Sequence, residues 1–217
     1  MTSTHYSPAT HYIGLDLGQA YDHTAIAVLE RTEIYLGQSP VTFERITETR
    51  YAFRHLERLP LGMDYPSMLR HVRDLVQRPE LALSSTTLVV DATGVGRPVV
   101  DLLRRASLPC RVVPVTITGG DKETCESPMW HVPKRDLIAG LIVLFQRGEV
   151  AICGHLPESQ TLAAELANMR IKVSLSGHDT YTTWREGQHD DLVLAAALAV
   201  WRATRPAYSL MGAGRLL

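Results

Sequence analysis

Four aspartates stand at positions from which a folded chain can bring acids together. Asp16 lies inside the run His11-Tyr-Ile-Gly-Leu-Asp-Leu-Gly18, Asp91 ends Leu88-Val-Val-Asp91, and Asp190 and Asp191 open the alanine-rich stretch that runs to Trp201. Ile13, Leu15 and Leu17 alternate with Gly14 and Asp16, a strand pattern apolar enough to be buried on both faces. An unpaired carboxylate there is costly, so Asp16 needs a metal, a cation or a hydrogen-bond network. Carboxylates sharing a small space repel one another unless a divalent cation neutralises them. A donor set of oxygens alone selects a hard ion, Mg²⁺ or Mn²⁺. Two such ions, roughly 3.5–4 Å apart, can activate water and stabilise the leaving oxygen in phosphodiester cleavage. Each acid also has a plain structural reading: Asp16 as a buried hydrogen-bonded group, Asp91 as a turn cap, and Asp190 as a helix N-cap with Asp191 against the helix dipole. It is the set of acids, placed at strand and helix ends, that points to chemistry.

The elements that must position them follow in order. The first strand turns at Gly18 into a second apolar run, Thr24–Leu29. Tyr35–Thr49 is mixed, with Gly37 and Pro40 as breakers, and Tyr51–Leu59 reads as a third, more exposed strand. Helical spacing predicts helices over Tyr65–Val76, Val99–Ala106, Lys134–Gln146, Pro157–Met169 and Asp190–Trp201. Short strands are predicted at Thr86–Asp91, Cys110–Thr116 and Val150–Cys153, with a final pair near Ile171–Leu175 and Thr180–Trp184. Gly119–Pro133 is the longest stretch without periodicity and is expected to be a functional or mobile loop. A meander of three strands followed by alternating helices and strands predicts an α/β fold, a mixed central sheet with antiparallel first three strands flanked by helices. That is the order of a ribonuclease-H-like fold. One domain over 11–205 is expected, with mobile tails at 1–10 and 206–217.

Composition narrows the function classes. A formal charge of −1 leaves no global basic field, so any nucleic-acid contact must use local patches. Three scattered cysteines without CxxC spacing argue against a disulfide framework or zinc ribbon and fit a reducing compartment. The polar N-terminus lacks the apolar core of a signal peptide, and no apolar run reaches membrane-span length. A cytoplasmic protein is expected.

Gly14-Leu-Asp-Leu-Gly18, Val89-Val-Asp-Ala-Thr-Gly-Val-Gly-Arg-Pro-Val-Val-Asp-Leu-Leu103, Val132-Pro-Lys-Arg-Asp-Leu137 and His189-Asp-Asp-Leu-Val-Leu-Ala-Ala-Ala197 together resemble the nuclease domain of phage terminase large subunits, of the RuvC-type nuclease group. The resemblance runs from about Ile13 to Trp201. It implies metal-dependent endonucleolytic cleavage of double-stranded DNA during genome packaging. It further implies that Asp16, Asp91 and the Asp190/Asp191 pair hold two Mg²⁺ or Mn²⁺ ions. Asp191 is favoured as the direct ligand, because the family pattern tolerates a small residue before it. A packaging ATPase, a portal and a small terminase subunit are the implied partners. Family members carry that ATPase ahead of the nuclease, yet no Gly-x-x-x-x-Gly-Lys-Ser/Thr loop occurs in this chain. A piece of a longer protein and a free-standing relative are both open.

Lesser expectations attach to flanking groups. Lys134 and Arg135 at a helix start, and Arg97 beside the turn after Asp91, are candidate phosphate contacts. Arg185 belongs to an aromatic and basic segment, Ser176–Gln188, suited to a DNA-contacting hairpin. His189 is placed to move a proton or orient a phosphate, while Asp22 and Asp179 are weaker auxiliary acids. Three competing readings remain: a RuvC-like junction resolvase, a non-catalytic packaging or docking domain, and a sugar-kinase or actin-like ATPase, which needs two such domains.

Overall fold

A computed structural model describes residues 8–18, 22–94, 96–173, 179–183 and 190–206. Its framework is an eight-stranded mixed sheet built on β1 (Thr10–Asp16), β2 (Ala25–Gln38) and β3 (Arg45–Arg58). These three form an antiparallel meander, Asp16 facing Ala25 and Ala25 facing Arg58. Helices α1 (Tyr65–Val76) and α2 (Pro79–Ala82) lead to β4 (Ser85–Asp91), which lies parallel to β1 on its other edge. Helix α3 (Gly96–Arg105), β5 (Arg111–Thr118), β6 (Thr124–Glu126) and β7 (Met129–Pro133) follow, then α4 (Lys134–Gln146) and β8 (Val150–Ile152). The strand order is β6-β7-β5-β4-β1-β2-β3-β8. Helix α5 (Ser159–Asn168) precedes a separate two-stranded ribbon, β9 (Met169–Val173) and β10 (Asp179–Thr183), and α6 (Asp191–Ala203) closes the domain.

Alternation in the strands divides the core into two layers. Ile13, Leu15, Ile26, Val28, Leu88 and Val90 pack beneath α1 to α3, while Ala25, Ala27, Leu29 and Val89 face α4 to α6. Such period-two splitting is what covering both faces of a sheet demands. All thirteen residues of α6 are buried and all but Asp191 and Arg202 near its ends are apolar, so this helix lies inside the domain rather than on it. It lies directly on β1. A Cβ at Gly14 would stand 1.8 Å from the Ala195 carbonyl oxygen and 3.1 Å from the Ala199 amide nitrogen. Glycine in the strand and alanines in the helix therefore set how near the two backbones come.

β3 is, as expected, more exposed than β1: Tyr51, Phe53 and Leu56 are buried under the helical layer, while Arg54 is exposed and Ala52, His55, Glu57 and Arg58 are partly so. Two expectations are corrected. Tyr35–Thr49 is mostly strand: β2 runs to Gln38 and β3 resumes at Arg45 as a ribbon projecting past β1, with Pro40 in the turn between them as a breaker and Gly37 (φ 150°) at a register shift within the strand. Leu36, Val41, Phe43 and Ile46 near its tip are exposed. Gly119–Pro133 is not irregular either, since β6 and β7 form a hairpin at the sheet edge. Its start is tied to α6: Glu123 accepts from Trp201 Nε1 at 3.0 Å and pairs with Arg205, and Trp130 meets Trp201 edge-on at 5.5 Å. Among the described residues no helix is long and apolar enough to cross a membrane.

Gly14→Ala is expected to destabilise the fold by about 3 kcal/mol or more, at the upper end of overpacking costs. Backbone, not a movable side chain, meets the added methyl. Chemical denaturation checks this: the midpoint should fall, whereas an unchanged midpoint would show that α6 can lift off β1 without penalty.

Candidate metal centre

The acids meet at one end of the sheet. Asp16 is the last residue of β1 and Asp91 the last of β4, two parallel neighbours, so their carboxyls emerge at the same edge. Asp191 is the first residue of α6, whose packing on Gly14 sets that helix start beside the same edge. Asp16 and Asp191 are buried, at 7% and 6% exposure. Burial pushes the Asp16 carboxyl well above the usual range, and the negative fields of Asp91, Asp191 and Asp190 push it further in that order. Asp16 and Asp91 also hydrogen-bond to each other. Two carboxyls can share such a bond only if one of them holds a proton.

Asp91 is better supported. Burial raises its carboxyl, but Oδ1 accepts from the Thr93 amide at 2.8 Å and the Thr93 hydroxyl at 2.5 Å, both of which favour the charged form. The same hydroxyl accepts from the Ile117 amide at 2.9 Å, tying the turn after β4 to β5. Asp91 is thus a turn cap and a site residue at once.

Lys134 comes into the acid cluster. Its Nζ donates to Asp190 Oδ2 at 2.5 Å, and its charge favours ionised Asp91. Asp190 makes no side-chain cap bond to α6, because its carboxylate is engaged by Lys134. Arg135 instead points to the β5–β6 connection, pairing with Asp121 at 2.8 Å. Arg97 is the second residue of α3, just past the Asp91 turn. His189 and Arg185 lie outside the described residues. Asp22 lines a cleft of about 340 Å³ beside Gly18 and Asp64, with no basic group among its described lining residues. Asp179 begins β10.

One acid escaped the sequence reading. Glu165 on α5 is buried and accepts from the Val193 amide at 3.1 Å, in the first turn of α6. Burial pushes its carboxyl up to about 7, with Asp191 and Asp190 adding to the rise. The signal was available. Leu162, Glu165, Leu166 and Met169 share one helical face, so an acid falls on the apolar side.

Neither a family model nor a characterised protein matches the sequence. Solved structures do. The large terminase nuclease from thermophilic phage G20c with bound magnesium superposes with a TM-score of 0.58 at 23% identity, over 89% of this chain and 82% of that one. The same nuclease with bound cobalt gives 0.57 at 23%, over 89% and 81%. A large terminase nuclease domain from a Thermus phage gives 0.57 at 22%, over 88% and 78%. The fold is that of a phage large terminase nuclease domain, and hence ribonuclease-H-like.

Within that fold, the acids fit a hard divalent cation in donor type and in charge: oxygen ligands only, desolvated and mutually repelling. They are not already arranged around one. Among the described residues no three His, Cys, Asp or Glu side chains are grouped to hold an ion. Instead, the Asp16–Asp91 hydrogen bond and the Lys134–Asp190 ion pair relieve the charge.

Two outcomes follow for the metal-free protein. Asp16→Asn, which puts a neutral side chain where burial and neighbouring acids make ionisation of a carboxyl costly, should raise Tm in chelator at neutral pH by at least about 2 °C, the shift that ~1 kcal/mol produces in a chain of this size. Differential scanning calorimetry with and without Mg²⁺ reads this, and added Mg²⁺ should narrow or reverse the gap. The raised carboxyls of Asp16 and Glu165 also set a pH slope. The folded state keeps protons that the unfolded chain loses near pH ~4, so stability in chelator falls as pH rises from there through about 7. A stability that climbs over that window would contradict the burial of these acids in ionisable form.

Proposed function

We propose that this chain is a metal-dependent nuclease that hydrolyses phosphodiester bonds of double-stranded DNA by endonucleolytic cleavage, in the manner of a terminase large-subunit nuclease acting in viral genome packaging. The observation that carries the reading is that the buried Asp16 lies within the fields of Asp91, Asp191 and Asp190 at one sheet end. A cluster of that kind has no evident use as a structural core, since each added acid raises the cost of the others. The neighbours with bound magnesium and with bound cobalt support a divalent ion as the counter-charge for these acids.

In this reading Asp16, Asp91 and Asp191 hold Mg²⁺ or Mn²⁺, two ions in all, and Asp190 serves the second ion or the start of α6. Divalent ions supply activation of water and neutralisation of the leaving oxygen. The protein's own groups do the rest. Thr93 fixes the orientation of Asp91 through two bonds to one oxygen. Lys134, held at 2.5 Å from Asp190, is a cation that can be handed to a phosphate oxygen when the acids take up metal. Arg135, Arg97 and Arg185 are proposed to contact the DNA backbone, and His189 to orient the scissile phosphate. With a net charge of −1, affinity for free DNA is weak, and a packaging ATPase, portal and small terminase subunit are proposed to hold the substrate in place.

Plasmid digestion in Mg²⁺ or Mn²⁺ tests this. Asp16→Ala, Asp91→Asn and Asp191→Ala should each lower the cleavage rate on the order of 100-fold or more, the loss typical when transition-state charge stabilisation is removed. Chelator should abolish cleavage in the unaltered chain. Full activity in all three variants sinks the proposal. A strong preference for four-way junctions over linear duplex would replace it with a junction resolvase.

A further inference from the structure

Asp191 is placed by a helix whose first turn is held from outside. Asp190 occupies the N-cap position, yet its side chain makes no cap bond and is engaged by Lys134. Its backbone carbonyl accepts the Leu194 amide at 2.9 Å in the ordinary helical way. At a helix start this deeply buried, the Val193 amide would otherwise be left without a partner. It is taken instead by Glu165 Oε2 at 3.1 Å, from a residue 28 positions earlier on α5.

We propose that Glu165 is a positioning residue of the metal centre: by capping α6 in place of Asp190 it fixes the direction from which Asp191 reaches the Asp16–Asp91 end of the sheet. The inference rests on the metal-nuclease reading above and adds a residue to it. Three observations support it. Glu165 is buried, at 9% exposure, on the apolar face of α5, a place where an acid needs a reason. Its carboxyl feels the charges of Asp191 and Asp190, so it lies near both. And its bond joins two separate helices, α5 and α6, so the cap also ties their relative height. The division of labour follows. Glu165 relieves Asp190 of capping, which frees the Asp190 carboxylate for Lys134 or an ion.

What Glu165 supplies is an acceptor oxygen and not a charge. Glu165→Gln retains a carbonyl oxygen at the same reach, whereas Glu165→Leu keeps the bulk and the apolar packing but removes the acceptor. Three readouts are taken on folded protein: amide hydrogen exchange at Val193 and Leu194 without metal, Mn²⁺ affinity by calorimetry, and kcat and KM for DNA cleavage. In Glu165→Leu, exchange at the first turn should accelerate. Mn²⁺ affinity should fall about 10-fold or more, as when support behind a metal ligand is lost. Cleavage should fall in kcat with little change in KM, and Glu165→Gln should restore all three. If Glu165→Leu fails to fold, Glu165→Ser removes the reach of the acceptor with less apolar bulk and is read the same way. Wild-type Mn²⁺ affinity and kcat in Glu165→Leu, whatever its Tm, would overturn the positioning role. So would a Glu165→Gln as impaired as Glu165→Leu, since that would mean the charge itself is used. Absence of Mn²⁺ binding in the unaltered chain is a different failure, and overturns the metal reading on which the inference stands.

Discussion

The contact between Gly14 and Ala195 is the constraint on which the site depends. No side chain fits between β1 and α6 at this point, because a methyl group on Gly14 would meet the helix backbone at 1.8 Å. The strand that carries Asp16 and the helix that carries Asp191 are thus held at backbone contact rather than at the spacing that two ordinary side chains impose. Leu192, Ala195, Ala196 and Ala199 all lie in the resulting layer. A helix docked farther out would leave Asp191 away from the β1 edge and expose the apolar surface that makes α6 an interior element.

That close packing brings like charges into a desolvated place, and the surrounding groups read as responses to it. Asp16 and Asp91 share a hydrogen bond, Thr93 supplies two donors to Asp91, and Lys134 answers Asp190. Each is a different solution to the same problem, namely a proton, a dipole and a cation. None of them removes the repulsion entirely, since Asp16 remains well above an ordinary carboxyl. Such repulsion costs stability, and any counter-ion that bound the folded state there would return some of it by linkage.

The far side of the domain is stabilised differently. Around the C-terminal end of α6, Trp201 is braced by Trp130, by Glu123 and by Arg205, whose guanidinium lies 4.4 Å from its ring centroid. These contacts anchor the hairpin that looked like a loop. They also hold the far end of the helix whose near end carries Asp191, so α6 is clamped at both termini: by Glu165 at one and by the tryptophan cluster at the other.

The sequence by itself determined most of the elements and the acids they carry. Alternation around Ile13, Gly14, Leu15 and Asp16, the Asp-Ala-Thr-Gly turn after β4, and the helical spacing of Lys134–Gln146 are local patterns, set by backbone geometry over a few residues. For that reason the strand ends, the helix starts and the four aspartates were legible from residue order. Only the tertiary structure decided the partners. That Lys134 meets Asp190, that Glu165 caps a helix 28 residues later, and that Glu123 reaches Trp201 depend on which faces stack and at what height. Residue order does not encode those distances in any short window. It is burial, imposed by α6 lying on Gly14, that turns a row of separated aspartates into one electrostatic unit.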